Sequence, residues 1–257
     1  MYQTVNVEIK DKIARITLNR PQAFNSFERE MSREFLEVLD ICQNDTSVRT
    51  LVITGEGKAF CAGQDLKDAM REDFSFEETI NQQYNPIIKK IRRMGKPIIC
   101  RLNGIAAGAG ASLALACDYV VASEKAGLLW AFVNIGLVLD SGSSWFLPRQ
   151  VGHRKAFELA TLGKPVSAQE ALSLGLVNQV VSAEDLDSVV EKMAFHYASA
   201  PPLAIKMMKE MLNQSYESSL DDMLELEKQY QTIAGSTDDY QEGLKAFLEK
   251  RKPDFKG

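Results

Sequence analysis

The apolar positions of this 257-residue chain alternate between two periods. Val5 to Ile9 and Ile13 to Leu18 are short β-type runs, and the polar pair Asp11-Lys12 between them predicts a hairpin. Arg20 to Ser26 reads as a loop, with Ser26 placed to cap a helix whose Met31, Phe35, Val38 and Leu39 share one face. Thr50 to Thr54 and Pro97 to Leu102 read as buried strands, the first ending in the turn Gly55-Glu56-Gly57. Ser75 with Glu78 predicts a capping box opening a second helix that runs to about Met94, where Lys96-Pro97 stops it. A helix capped by Ser167 with Glu170 precedes another predicted strand, Leu176 to Val181. This recurrence of strand, loop, helix and strand predicts helices packed on mostly parallel sheet. After Ala200-Pro201-Pro202 the pattern is helical to the end, so residues 1–200 read as an α/β core and 201–257 as a helical region.

Composition narrows the class without naming a chemistry. Apolar residues make up 45% and charged residues 25%, a globular balance, with a net charge of −5. No block of clustered Lys/Arg suits nucleic acid; the run Lys89, Lys90, Arg92, Arg93 has the spacing of a solvated helix face. No apolar stretch is long enough to cross a bilayer, and the first residues lack the order of a signal peptide. The four cysteines have neither paired spacing nor neighbouring histidines, which argues against a metal site and suits a reducing cytoplasm. With only His153 and His196 present, proton transfer has to lean on carboxylates.

Two loops stand out because each follows a buried strand and is built of small residues. They are Phe60 to Leu66, and Asn103 to Ser112 leading into an apolar helix to Cys117. Small residues admit close approach to the backbone, and a helix N-terminus offers unpaired N–H groups. Two such groups aimed at one oxygen form an oxyanion hole; tight helix-on-sheet packing would use the same composition. The spacing fits neither dinucleotide nor phosphate-binding glycine motifs. Gly110-Ala111-Ser112-Leu113-Ala114 approximates a nucleophile elbow, but a whole loop separates it from its strand. Asp140 ends the apolar run Ile135 to Leu139. It can act as a desolvated proton carrier, or cap the helix that follows.

In order along nearly the whole chain, several motifs resemble the enoyl-CoA hydratase/isomerase (crotonase) superfamily. They are Leu18-Asn19-Arg20-Pro21 with Asn25, Ala59 to Leu66, Lys96 to Ile99, Asn103 to Gly110, Cys117-Asp118, Ala168 to Ala171 with Gly175 to Val177, and Glu242 to Arg251. The resemblance implies an α/β spiral of ββα repeats with a C-terminal helical trimerisation region, assembling as a homotrimer or dimer of trimers. It implies an acyl-CoA thioester substrate, coenzyme A arriving as part of the substrate and no separate cofactor. By position it puts the thioester oxygen on the N–H groups of Ala62 and Ala109. Ala23, Gln64, Asp65 and Leu66 would line the coenzyme A groove, and Phe247 and Lys250 would reach a neighbouring subunit's coenzyme A.

The two glutamates with which hydratases of this family activate water fall on Ser112 and Phe132. Asp140 coincides with the aspartate of isomerase branches, and the run Ala131 to Arg149 is similar to the ring-epoxyphenylacetyl-CoA isomerases of phenylacetate breakdown, except for Leu139 where they carry proline. The expectation is an isomerase in which Asp140 shuttles a proton within a pocket walled by Tyr84, Ser112, Phe132 and Trp145. A hydratase of altered or weak activity is the alternative.

Overall fold

A hairpin forms one edge of the main sheet: β1 (Val5–Lys10) pairs antiparallel with β2 (Ile13–Leu18) in the computed structural model, which describes residues 2–257. Asp11 and Lys12 take φ of 55° and 65°, the two-residue turn whose twist matches that of the strands. The first helix, α1 (Arg29–Asn44), buries Met31, Phe35, Val38 and Leu39 as expected. Ser26 does not cap it. Phe27 is tied into extended backbone by donating to the Gly63 carbonyl (2.6 Å) and accepting from the Asp65 N–H (2.8 Å), so helix begins only at Arg29.

From there each turn of chain gives one strand to each of two sheets and then a helix. β3 (Thr50–Gly55) and β4 (Ala59–Cys61) precede α2 (Leu66–Ala69), α3 (Phe76–Thr79) and α4 (Asn85–Arg93). β5 (Ile98–Leu102) and β6 (Ile105–Ala107) precede α5 (Ala109–Ala116). β7 (Tyr119–Ser123) and β8 (Gly127–Leu129) precede α6 (Ser143–Leu162), which carries non-helical backbone at Gly152. β9 (Val166–Ser167), α7 (Ala168–Ser173) and β10 (Gln179–Val181) follow. One sheet has the order β1-β2-β3-β5-β7-β10 and the other β4-β6-β8-β9, so alternate strands advance in step through two layers as a spiral. All pairings are parallel except β1 with β2 and β8 with β9.

The inner strands β3, β5 and β7 of the larger sheet carry apolar runs without alternation because both faces are covered, whereas the edge strand β1 alternates. Leu51 and Ile53 enter the main core, while Ile13, Val52, Ile99 and Val121 pack beneath α8 (Leu186–Ala198) through Leu186, Val190 and Ala194. The helix expected from Ser75 to Met94 is divided. Ser75 accepts the N–H of Glu78, but Ile80 to Tyr84 form a π turn, with the Asn85 N–H reaching the Ile80 carbonyl. Pro86 at the start of α4 has no N–H for a regular helical bond, and the wider turn absorbs the break. The strand expected from Leu176 is regular only from Gln179; before it the Asn178 side chain receives the N–H of Val120 at 2.7 Å.

The C-terminal residues are helical as expected: α9 (Pro202–Gln214), α10 (Leu220–Gly235) and α11 (Asp238–Leu248). Lys209 anchors α9 by donating to Asp118 (2.7 Å) and to the Ile91 carbonyl (2.9 Å). In contrast α10 buries no residue, and Leu220, Leu224, Leu244, Phe247 and Leu248 are exposed along the tail. Among the described residues no helix is long and apolar enough to cross a membrane, and no group of His, Cys, Asp and Glu is arranged to hold a metal ion.

Candidate active site

The two small-residue loops meet where β4 and β6 end. Gly63 has φ of 88°, and a Cβ there would lie 2.7 Å from the Ala107 carbonyl and 3.4 Å from the Ala109 nitrogen. At Gly110 a Cβ would overlap the Cys61 carbonyl. Side chains are therefore excluded at both points, and the backbones of two successive spiral turns touch. Beside this contact opens a cavity of about 700 Å³, lined by both loops, by α2 and the Phe76–Tyr84 segment, and by residues 131–140.

Ala62 and Ala109 both reach the cavity, but only one of them has a free N–H. The Ala62 N–H donates to the Phe24 carbonyl at 3.0 Å, so the expectation that it holds the substrate oxygen is corrected. In the same turn the Gly63 carbonyl and Asp65 N–H face Phe27, which leaves the intervening Gln64 N–H on the opposite side. Neither the Gln64 N–H nor the Ala109 N–H, at the first position of α5, has an acceptor among the described residues. Such a pair can receive a developing oxyanion. Sequence carried a signal for this: alternation along extended backbone points N–H groups of adjacent residues in opposite directions.

The side chain of Gln64 is held as well. Tyr84, buried at the end of the π turn, donates its hydroxyl to Gln64 Oε1 and packs 5.8 Å from the Phe27 ring. Burial, with Asp140 nearby, pushes the Tyr84 phenol well above its ordinary range, so it stays protonated. Asp65 caps α2, accepting from the Lys67 N–H (3.0 Å), and is paired with Arg20 at 2.9 Å. Burial opposes its charge, but those bonds prevail and hold its carboxyl below the ordinary carboxylate range. Arg20 also donates to the Ser26 carbonyl (2.7 Å) and pairs with Glu28 (2.9 Å), with buried Asn25 gripping the Arg20 N–H, Glu56 and Ala59. Ala23 and Leu66 line the same cavity.

Asp140 stands on the cavity wall with Phe132, Leu137 and Ile80. Its Oδ1 is buried without a hydrogen-bond partner, and burial raises its carboxyl above the ordinary range. It does not cap α6, whose N-cap is Gly142 with no side-chain bond. With Asp65 locked to Arg20, Asp140 is the one carboxylate on the cavity without an ion-pair partner, and neither histidine lines it.

Two residues expected on the wall lie elsewhere. Ser112 is fully buried behind the wall, bonded to Ser143 (2.5 Å) and close to the Gly108 and Asp140 carbonyls, with no histidine beside it to activate a nucleophile. Trp145 lines a separate cavity of about 340 Å³, with Arg149 over its ring (4.2 Å) and Tyr216 edge-on to it (5.7 Å). Two positions along a helix is roughly 200° of rotation, so with Ser143 pointing at Ser112, Trp145 faces away. Phe247, 80% exposed near the end of α11, and Lys250, just beyond it, do not line this chain's cavity. The sequence reading missed Arg20, Phe76, Thr79, Ile80 and Leu137 as lining residues; the apolar spacing Phe76, Ile80, Tyr84 was the available signal.

The chain has relatives in both sequence and fold. Residues 8–257 match the family described as enoyl-CoA hydratase/isomerase. The chain is 39% identical over 261 residues to 1,2-epoxyphenylacetyl-CoA isomerase of Escherichia coli K12, covering all of both chains. It is 35% identical over 251 residues to 2,3-dehydroadipyl-CoA hydratase of the same organism, covering 98% of each. The solved structure of enoyl-CoA hydratase from Bacillus anthracis superposes with a TM-score of 0.93 at 33% identity, over 99% of this chain and all of that one. The relatives thus include both isomerases and hydratases, while the two-sheet spiral and helical tail are those of one fold. This chain is an enzyme of the enoyl-CoA hydratase/isomerase, or crotonase, superfamily.

Proposed function

We propose that the protein is an acyl-CoA isomerase that works through a thioester enolate. The carbonyl oxygen sits between the N–H groups of Gln64 and Ala109, and Asp140 carries the proton. For a 3-enoyl thioester, the Asp140 carboxylate removes a proton from the carbon beside the carbonyl. The negative charge passes to the oxygen, and the same proton returns two carbons further along, giving the 2-enoyl product. With a ring-epoxyphenylacetyl thioester the same cradle assists opening of the epoxide and expansion to an oxepin.

The observation that carries this reading is a single unpaired, desolvated carboxylate lining the same cavity as two free N–H groups. Hydration by the family's usual route needs a second carboxylate to hold water. The two positions where hydratases carry glutamate are Ser112 and Phe132, one sealed in the interior and the other an apolar wall. Ala23, Asp65 and Leu66 at the mouth support a role in seating coenzyme A, and the exposed apolar tail supports assembly into trimers.

The test is a panel of 3-enoyl, 2-enoyl and epoxyphenylacetyl CoA thioesters, with product mass and ultraviolet absorbance recorded. An isobaric product is expected; a product heavier by one water would overturn the reading. Asp140→Asn should lower turnover by roughly 10²–10⁴-fold, the range of a lost general base.

A further inference from the structure

We propose that Trp130, Ser143 and Ser112 form a buried chain of hydrogen bonds that fixes Asp140 against helix α5, making Ser112 and Ser143 positioning residues for the proton carrier. The proposal rests on Asp140 being that carrier.

The direction of the chain follows from counting hydrogens. An indole N–H can only donate, and that of Trp130, fully buried, points at Ser143 Oγ at 3.0 Å. Ser143 Oγ lies 2.5 Å from Ser112 Oγ and has no other acceptor in reach, whereas Ser112 Oγ has two carbonyls, so the Ser143 hydrogen goes to Ser112. The Ser112 hydrogen is then left for backbone carbonyls, that of Asp140 at 3.3 Å and that of Gly108 at 3.2 Å. Ser143 adds a second tie, its N–H donating to the Asp140 carbonyl at 2.9 Å. Bonds linked in this way polarise one another in a low-dielectric interior.

What the chain joins gives it its purpose. Gly108 is the N-cap of α5, directly before Ala109, whose N–H faces the cavity. Asp140 has no side-chain bond from its buried Oδ1 to hold it, so its carboxylate is placed through its backbone. That backbone runs into Ser141 and Gly142, with φ of 50° and 82°, and left-handed backbone at a non-glycine residue needs outside support. The oxyanion donor and the proton carrier, which come from different turns of the spiral, are thereby set at a fixed separation.

The experiment compares Ser112→Ala, Ser112→Thr, Ser143→Ala, Trp130→Phe and Asp140→Asn in the full-length protein, by 3-enoyl-CoA isomerisation across pH and by thermal melting. In Ser112→Ala and Ser143→Ala, kcat should fall roughly tenfold to a hundredfold, as misplaced reacting groups do, with KM nearly unchanged. The acid limb of the kcat profile should move to lower pH as the freed carboxylate gains water. Ser112→Thr, which keeps the hydroxyl, should recover much of the loss. If Ser112→Ala fails to fold, Ser143→Ala and Trp130→Phe probe the same chain from its other links. Wild-type kcat and acid limb in these variants, with Asp140→Asn inactive, would overturn the positioning chain and leave the base assignment standing. An active Asp140→Asn would overturn both.

Discussion

The hydroxyl of Tyr84 donates to the side-chain oxygen of Gln64, a residue with a free N–H in the lining of the cavity that Asp140 shares. The cavity wall and the proposed oxyanion cradle are thus tied by one bond between a π turn and an isolated β bridge.

Replacing Tyr84 by Phe removes that bond and little else, since the ring contact with Phe27 remains. A loss of about 0.5–1.5 kcal/mol is expected in transition-state stabilisation, the net value of one hydrogen bond. Steady-state kinetics should show it in kcat/KM, with the melting temperature nearly constant.

Asp140 also gives the fold a pH signature. Its folded-state pKa is raised, so between the ordinary carboxylate value and the raised one the native protein binds more proton than the unfolded chain. Stability from this group is present at low pH and declines as pH rises through that window, whereas the proposed isomerisation, with Asp140 as the carboxylate base, should increase. Melting curves of Asp140→Asn against wild type should show the variant gaining relative stability above the window. A constant difference at all pH values would contradict the desolvated carboxylate.

Gly110→Ala pushes a methyl group into the Cys61 carbonyl and separates the two loops. Overpacking of this kind costs typically about 1–3 kcal/mol, to be read from denaturant midpoints. Because the Ala109 N–H moves with the loop, activity should fall further than stability alone explains.

Phe247→Ala tests whether the tail serves a neighbour. The side chain is 80% exposed within one chain, so stability of the subunit should change by less than about 0.5 kcal/mol. If it contacts coenzyme A across a trimer, KM for the thioester rises several-fold and sedimentation velocity shows the assembly. An unchanged KM would remove Phe247 from the site.

Much of the fold was legible because its signals are local. The hairpin needed two polar residues able to take positive φ, and the apolar runs at Leu51–Ile53 and Ile98–Cys100 could only be strands covered on both faces. Asp140 was legible as a carboxylate closing an apolar run. What escaped depended on backbone direction and long-range pairing. Ala62 looked available until Phe24, in left-handed backbone 38 residues earlier, was found to take its N–H. Ser26 lost its capping role because Phe27 pairs across to Gly63 and Asp65. Trp145 was misplaced because the rotation of α6 follows from burial of Phe146 and Leu147, and Ser112 because every residue of α5 is buried, so no local pattern distinguishes its faces.

The π turn from Ile80 to Tyr84 holds one residue more per turn than an ordinary helix. Regular geometry at the same chain length, which Pro86→Ala permits by supplying the missing N–H, would rotate everything before the turn by about 100° relative to α4. Phe76 and Ile80 would leave the acyl wall together while Gln64 and Ala109 stayed where they are. A change of one codon would then exchange this surface of the cavity while both free N–H groups stayed in place, which makes this turn the natural place to retune what the enzyme accepts.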